Sequence, residues 1–329
     1  MKKYKIKFIK SSICLSFIIL IIFTLFNNIY LKKVIPKKLI HRKEASWQKY
    51  KTSLTDKTLE YAFLGDSHVL FGLNPELVKD SYNFADVGQD YVETYYIYNK
   101  ILEKDKIQIN NIVAPLDTHT FSNNIRTKER LFRQSTYYSR LVPAKDFIKL
   151  KDTNRLNFII NKTFPLLGNG NELFNLFFPP EITNTYYGWI SVSINFQSKN
   201  TKQRNISTEK RINLHFPNSN VESLINEKSF SYFKKIAQLS QQNKTSLTFI
   251  KMPISREYNN KIIEKNIQRE QYYNRIFNEL DNLNIKYKVL DYYKIFFNNP
   301  EYFYDPDHLN SVGAEILSKR LATDLENLK

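Results

Sequence analysis

The chain has 329 residues, 42% hydrophobic and 15% aromatic, which excludes a disordered protein and is enough for one large domain. The net charge of +17 suggests nucleic acid until it is located: residues 1–51 hold thirteen Lys/Arg against one acid, Glu44, so +12 of it sits there and +5 on the other 278 residues. A nucleic-acid partner is therefore not expected, and the single cysteine, Cys14, excludes an intrachain disulfide or a cysteine-built zinc site.

From Ser11 to Leu31 run 21 uncharged residues with an apolar centre, "ICLSFIILIIFTLF". As a helix this run is about 31 Å long at ~1.5 Å per residue, enough to cross a bilayer. "FNNIYLKK" closes it without small residues at the −3 and −1 positions of a cleavage site, so an uncleaved signal anchor is expected rather than a cleaved signal peptide. Basic residues flank the run on both sides, and the short leading tail places the large domain outside the cytoplasm. Residues 1–31 are thus read as tail and anchor, and the basic, polar residues 32–57 as a juxtamembrane stem that could meet anionic lipid heads.

Five short apolar runs beyond the stem predict strands: Leu59–Leu64, Tyr82–Ala85, Ile109–Ala114, Ser246–Met252 and Lys286–Leu290. Each meets a polar or Pro/Gly break, and helical patterns alternate with them, which predicts an α/β domain over 58–329 with a parallel sheet covered on both faces. Residues 90–104 place Tyr91, Tyr95, Tyr98 and Leu102 on one stripe; 229–243 do the same with Phe230, Phe233, Ile236 and Leu239. Such stripes read as core packing. Helices are also predicted over 269–283 and 311–325, the last capped by Asn310 or Ser311. Residues 120–228 break the rhythm and read as an insertion, or as long loops over a site.

Three segments could carry chemistry. "FLGDSHVLFG" (63–72) runs from a strand into Gly65-Asp66-Ser67, either an ordinary turn or a serine presented beyond a strand's carboxyl end, where open parallel sheets bind ligands. "YDPDHLNSVG" (304–313) offers Asp305 and His308 three residues apart; a serine needs a base, and the base an acid to fix its tautomer. The plainer reading makes the aspartates helix caps. Histidine is scarce, with five in the chain, and one sits in each of these two segments. Gly88, in "NFADVGQDY", could donate a backbone N–H to an oxyanion or simply make a turn. No P-loop, Gly-x-Gly-x-x-Gly or His-Glu-x-x-His occurs, and no metal or other cofactor is expected, although Asp305, Asp307, His308 and His119 could imitate a metal site.

Together Gly65-Asp66-Ser67, Gly88 and Asp305-x-x-His308 resemble the SGNH (GDSL-like) hydrolases over residues 58–119 and 230–329. The resemblance implies a five-stranded flavodoxin-like sheet, Ser67 as nucleophile, His308 as general base and Asp305 as its orienting acid. The amides of Ser67 and Gly88 would bind the oxyanion. One block departs from the pattern: where the family places Gly-x-Asn-Asp after strand three, this chain reads "IVAPLDTHTFSNN". An ionised Asp117 there would repel an oxyanion, and Thr118, His119 or Asn123 is left as substitute donor.

The anchor, the missing asparagine and the insertion look similar to membrane-tethered SGNH-like proteins of cell-surface polymer modification. Such a resemblance implies a single-span acyl (acetyl) transferase or esterase acting on an extracytoplasmic polysaccharide or cell-wall polymer, beside a polytopic membrane acyltransferase. The other expectation is a catalytically silent scaffold that binds a glycan or that acyltransferase.

Overall fold

The computed structural model describes residues 2–37, 39–121, 155–168, 187–216 and 225–328. In chain order the helices and strands are α1 (Lys2–Lys33), α2 (Leu39–Tyr50), β1 (Thr58–Phe63), α3 (Ser67–Gly72), β2 (Ser81–Asn83), α4 (Tyr91–Glu103), β3 (Gln108–Pro115), α5 (Arg155–Thr163), α6 (Thr201–His215), α7 (Glu227–Gln242), β4 (Ser246–Lys251), α8 (Arg256–Glu264), α9 (Arg269–Asn282), β5 (Lys288–Asp291) and α10 (Ser311–Asn327). Of the described residues, those up to 42 together with 155–168 form one compact unit, and the rest form a second.

In the first unit, the stretch Ile9–Lys37 contains an 18-residue window with a mean hydropathy of 2.3, and its helix is long and apolar enough to cross a membrane. Its middle turns are exposed all round, as a lipid-facing helix requires and a water-facing one would not tolerate. Towards its end Tyr30, Val34 and Ile35 bury themselves with Leu166, and Asn27 Nδ2 donates to Thr163 O at 3.0 Å.

The second unit is built on a five-stranded sheet in the order β2-β1-β3-β4-β5, every pairing parallel, with helices on both faces. The inner strands carry near-continuous apolar runs because both of their faces are covered; β5, at an edge, is mostly exposed. α4 and α7 pack together and against β3 and β4. Tyr91 stacks on Phe121 at 4.7 Å, and Phe233 meets Phe249 at 5.2 Å, so these aromatic stripes are core. The stripe on α4 is turned slightly from the expected one: Tyr91, Thr94, Ile97, Tyr98 and Ile101 are buried, while Tyr95 and Leu102 are half-buried.

From Lys43 onward α2 belongs to this second unit, although its composition reads as a solvated stem. Trp47 is 2% exposed, meets Tyr82 and Phe84 edge-on at 5.0 and 4.7 Å, and donates Nε1–H to Asp105 at 2.8 Å. Lys43 is buried and donates to Ala85 O; burial pushes its ammonium down to about 7, with the Asp86 charge opposing.

Candidate active site

β1 stops where it does because each residue of the following turn has a separate task. Gly65 sits at φ +141°, and a Cβ there would lie 2.5 Å from Pro115 Cδ, so no other residue fits. The Asp66 side chain accepts from His68 N at 3.0 Å and caps α3, leaving Ser67 as the first helical residue at the carboxyl end of a central strand. The final helix is capped by Asn310, which accepts from Gly313 N at 3.1 Å, and the loop ahead of it carries Asp305, Asp307 and His308.

These two segments, 241 residues apart, meet: His308 Nε2 lies 2.8 Å from Ser67 Oγ. On its other side His308 Nδ1 lies 2.8 Å from Asp305 Oδ2 and 3.0 Å from Oδ1. Asp305 Oδ1 also accepts the backbone N–H groups of Asp307 and His308, at 3.1 and 2.9 Å, so a tight loop sets its carboxylate. Tyr304 stacks on the His308 ring at 5.3 Å and Phe71 meets it edge-on at 5.5 Å, which fixes the imidazole plane. His308 is buried, whereas Ser67 is half-exposed and reachable.

Gly88 adopts φ +63° in the loop after β2, and that loop is tied to the serine turn by Asp86 N donating to Gly65 O at 3.2 Å. Asp86 takes up the amides around Gly88: Val87 N donates to Asp86 Oδ1 at 2.8 Å and Gln89 N to Asp86 O at 3.1 Å. Neither Gly88 N–H nor Ser67 N–H donates to an acceptor among the described residues.

Of the proposed third donors, Thr118 is buried, His119 directs Nε2–H to Asp66 Oδ2 at 3.1 Å, and Asn123 lies outside the described residues. Asp117, feared as a repulsive charge, is tied back. Its Oδ2 meets His68 Nδ1 at 2.9 Å and its Oδ1 accepts from Met252 N at 3.1 Å.

Behind the Ser67–His308 pair lies a buried network that only partly surfaced in the sequence. His68 Nε2 reaches Asp307 Oδ2 at 3.0 Å. Arg211, from α6, donates Nε–H to Asp307 Oδ1 at 2.6 Å and sets Nη2 3.1 Å from Asp305 and 2.6 Å from His308 Nδ1. His215, also on α6, stacks on His119 at 4.2 Å and accepts from the Tyr258 hydroxyl at 2.5 Å. Four of the five histidines thus converge here. Their scarcity, applied to His119 and His215 as well as to His68 and His308, was the available signal; nothing marked Arg211.

The electrostatics follow from these partners. Burial alone would lift the Asp66 carboxyl, but the hydrogen bond and charge of His119, with His68, bring it down to about 2. Burial likewise disfavours charge on Asp307, yet Arg211 and the neighbouring histidines hold it well below the usual carboxylate range. His68 goes the other way, its burial outweighed by Asp117 and Asp307, which raise it well above an ordinary imidazole. His215 is pushed well down by burial and by His119, so it stays neutral and accepts the hydrogen bond of the Tyr258 hydroxyl, which burial keeps protonated.

Ligand atoms of His68, Asp307 and His308 lie within 4.8 Å of one another, a metal-like grouping. Both His68 nitrogens and both Asp307 oxygens already have partners, and the Arg211 guanidinium stands beside them, so the set suits an ion badly. A separate cavity of about 480 Å³ beyond β4 and β5, lined by Lys251, Arg269 and Tyr273 among others, includes none of these residues.

No protein-family description matches the chain, and no curated protein is similar to it. Among solved structures, it is similar to a GDSL-like lipase from Bacteroides thetaiotaomicron, at 9% sequence identity and a TM-score of 0.39, over 89% of this chain and 100% of that one. At that score the likeness adds nothing to the sheet order, which by itself is the flavodoxin-like arrangement.

Proposed function

We propose that the chain is a membrane-anchored serine esterase or O-acyltransferase. Ser67 attacks an ester carbonyl while His308 takes its proton, and Asp305 holds the Nδ1–H tautomer and stabilises the imidazolium that forms. The amides of Ser67 and Gly88 then receive the oxyanion. Collapse of the tetrahedral intermediate returns the proton from His308 to the leaving alkoxide and leaves an acyl group on Ser67, which water or a sugar hydroxyl removes by the same steps in reverse. The observation that carries this reading is the 2.8 Å approach of Ser67 Oγ to His308 Nε2, with Asp305 2.8 Å from the other nitrogen.

In this reading α1 holds the domain at the outer face of a membrane, where its substrate is an esterified polysaccharide or cell-wall polymer and its neighbour a polytopic acyltransferase. A transferase must keep water, at ~55 M, from the acyl group, and positioning an acceptor is the means; the aromatic residues of 120–228 are the part of the chain suited to seat a glycan. A silent scaffold is the second reading, favoured by one observation: after β3 the chain carries Asp117, engaged by His68 and Met252, in the segment where the resembled family has the asparagine that completes its oxyanion site. The test is turnover of a small activated ester by the full-length protein in detergent, with and without a glycan acceptor. Slow cleavage abolished by Ser67→Ala, with acyl diverted to the sugar, is the expected result. Rapid cleavage with no acylated sugar would make it an esterase, and no Ser67-dependent turnover would leave the scaffold.

A further inference from the structure

Two cross-links join the same two segments side by side. Ser67 meets His308, and one residue along on each strand of chain, His68 meets Asp307 at 3.0 Å. A third segment enters through Asp117, at the carboxyl end of β3, whose Oδ2 is 2.9 Å from His68 Nδ1. The His68 side chain is 2% exposed, and Asp307 is fully enclosed. We infer that His68 is a buried imidazolium that clamps the helix bearing Ser67 to the loop bearing His308, and so is a positioning residue for the reaction proposed above, on whose reading this inference rests.

The proton count follows from geometry. A neutral imidazole carries one N–H and one lone pair, yet both His68 nitrogens face carboxylate oxygens at hydrogen-bond distance. A lone pair aimed at an anion in so buried a site would repel it, and an unmet acceptor there is costly. The second proton is not needed on the acids. Asp307 Oδ1 receives Arg211 Nε–H at 2.6 Å, and Asp117 Oδ1 receives Met252 N–H at 3.1 Å, so both are supplied with donors as carboxylates. The remaining neighbours are compatible with one positive charge: Asp66 accepts from the His68 backbone, the His119 and His308 rings lie at 4.4 and 4.7 Å, and His215 stands 3.7 Å from Asp307.

The clamp acts on the reacting pair because it removes the freedom that would let α3 and the 305–308 loop drift apart. A displacement near 1 Å at a reacting pair can cost ~10²-fold in rate. The His68 ring also lies edge-on to the His308 ring at 4.7 Å and Asp307 Oδ1 stands 3.6 Å from His308 Nδ1, so the clamp sets the base through these side-chain contacts as well as through the backbone to residues 67 and 308.

The test uses full-length protein in detergent with ¹⁵N-labelled histidine. In the unaltered protein both ring nitrogens of His68 should report as protonated at pH 8. In Asp307→Asn, Arg211 Nε–H keeps the amide oxygen at the Oδ1 position and turns the NH2 towards His68 Nε2, so the ring should become neutral with its proton on Nδ1 facing Asp117. Asp307→Asn and His68→Gln should each lower kcat on a small activated ester by ~10²-fold with KM changed by less than about twofold. The double variant should be no worse than the worse single one, as residues of one unit behave. A neutral His68 in the unaltered protein at pH 8 overturns the inference, and that reading does not depend on any variant folding. A folded His68→Gln with unchanged kcat also overturns it. Absence of any Ser67-dependent turnover would instead sink the catalytic reading and the positioning role with it, while leaving the doubly protonated ring in place, so the two failures are told apart.

Discussion

In the proposed reaction Asp305 is the residue on which His308 depends, because its carboxylate meets Nδ1 and two backbone amides at once. Asp305→Asn keeps the shape but offers a donor where an acceptor is needed, and should lower kcat on a small ester by about 10²–10⁴-fold, read in steady-state kinetics. Asp66 is a structural counterpart. Its folded pKa of about 2 lies below the ordinary 3.8, so its carboxylate stabilises the fold above the ordinary value, and that contribution fades as pH falls through about 2. The gap corresponds to about 2 kcal/mol. Asp66→Asn, which can still cap α3, should therefore cost about that much at pH 7 in denaturant unfolding, and the difference should close towards pH 2. A constant difference across that range would contradict the assignment. Ser67, Asp305 and His308 were legible because Gly-Asp-Ser and Asp-x-x-His are local patterns. Arg211 and His215 were not, since their place in the site depends on how α6 packs against α8 and reaches the 305–308 loop, and no local spacing encodes that packing.

Among the elements, strands read well from the sequence and the stem did not. β1, β3 and β4 are short apolar runs ended by Gly65, Pro115 and Pro253, and the physics of a sheet covered on two faces leaves no other composition for them. β2 and β5 are shorter than expected, as edge strands paired on one side only. α2 misleads because its charges describe only its outer face; its inner face rests on Trp47 and on Lys43, whose buried ammonium carries no signature of burial in the sequence. A chain beginning at Lys43 should accordingly be more stable to denaturant than one beginning at Thr58, by about 3–5 kcal/mol for the loss of Trp47 packing alone. Equal stability of the two would show that α2 is a tether and not part of the domain. Because Lys43 also holds Ala85, in the loop that leads to Gly88, the shorter chain should lose ester turnover beyond what its stability explains.

For the molecule as a whole, the distribution of charge and hydropathy agrees with the anchored enzyme proposed above. The basic excess lies beside an apolar helix and the mildly charged remainder encloses the sheet. Apolar insertion is not screened by salt as surface attraction is, so full-length protein should stay with membranes through carbonate and high-salt washes; release of the intact chain in either wash would mean that the helix does not span. The central claim is that Ser67 becomes acylated. Its most direct test is mass spectrometry of the full-length protein quenched after exposure to an activated acetyl ester, at a pH that slows release of the acyl group. A gain of one acetyl group on the peptide carrying Ser67, absent from Ser67→Ala and strongly reduced in His308→Ala, is the result predicted. An unmodified Ser67 under conditions in which the ester is consumed, or an adduct that persists in Ser67→Ala, would contradict it.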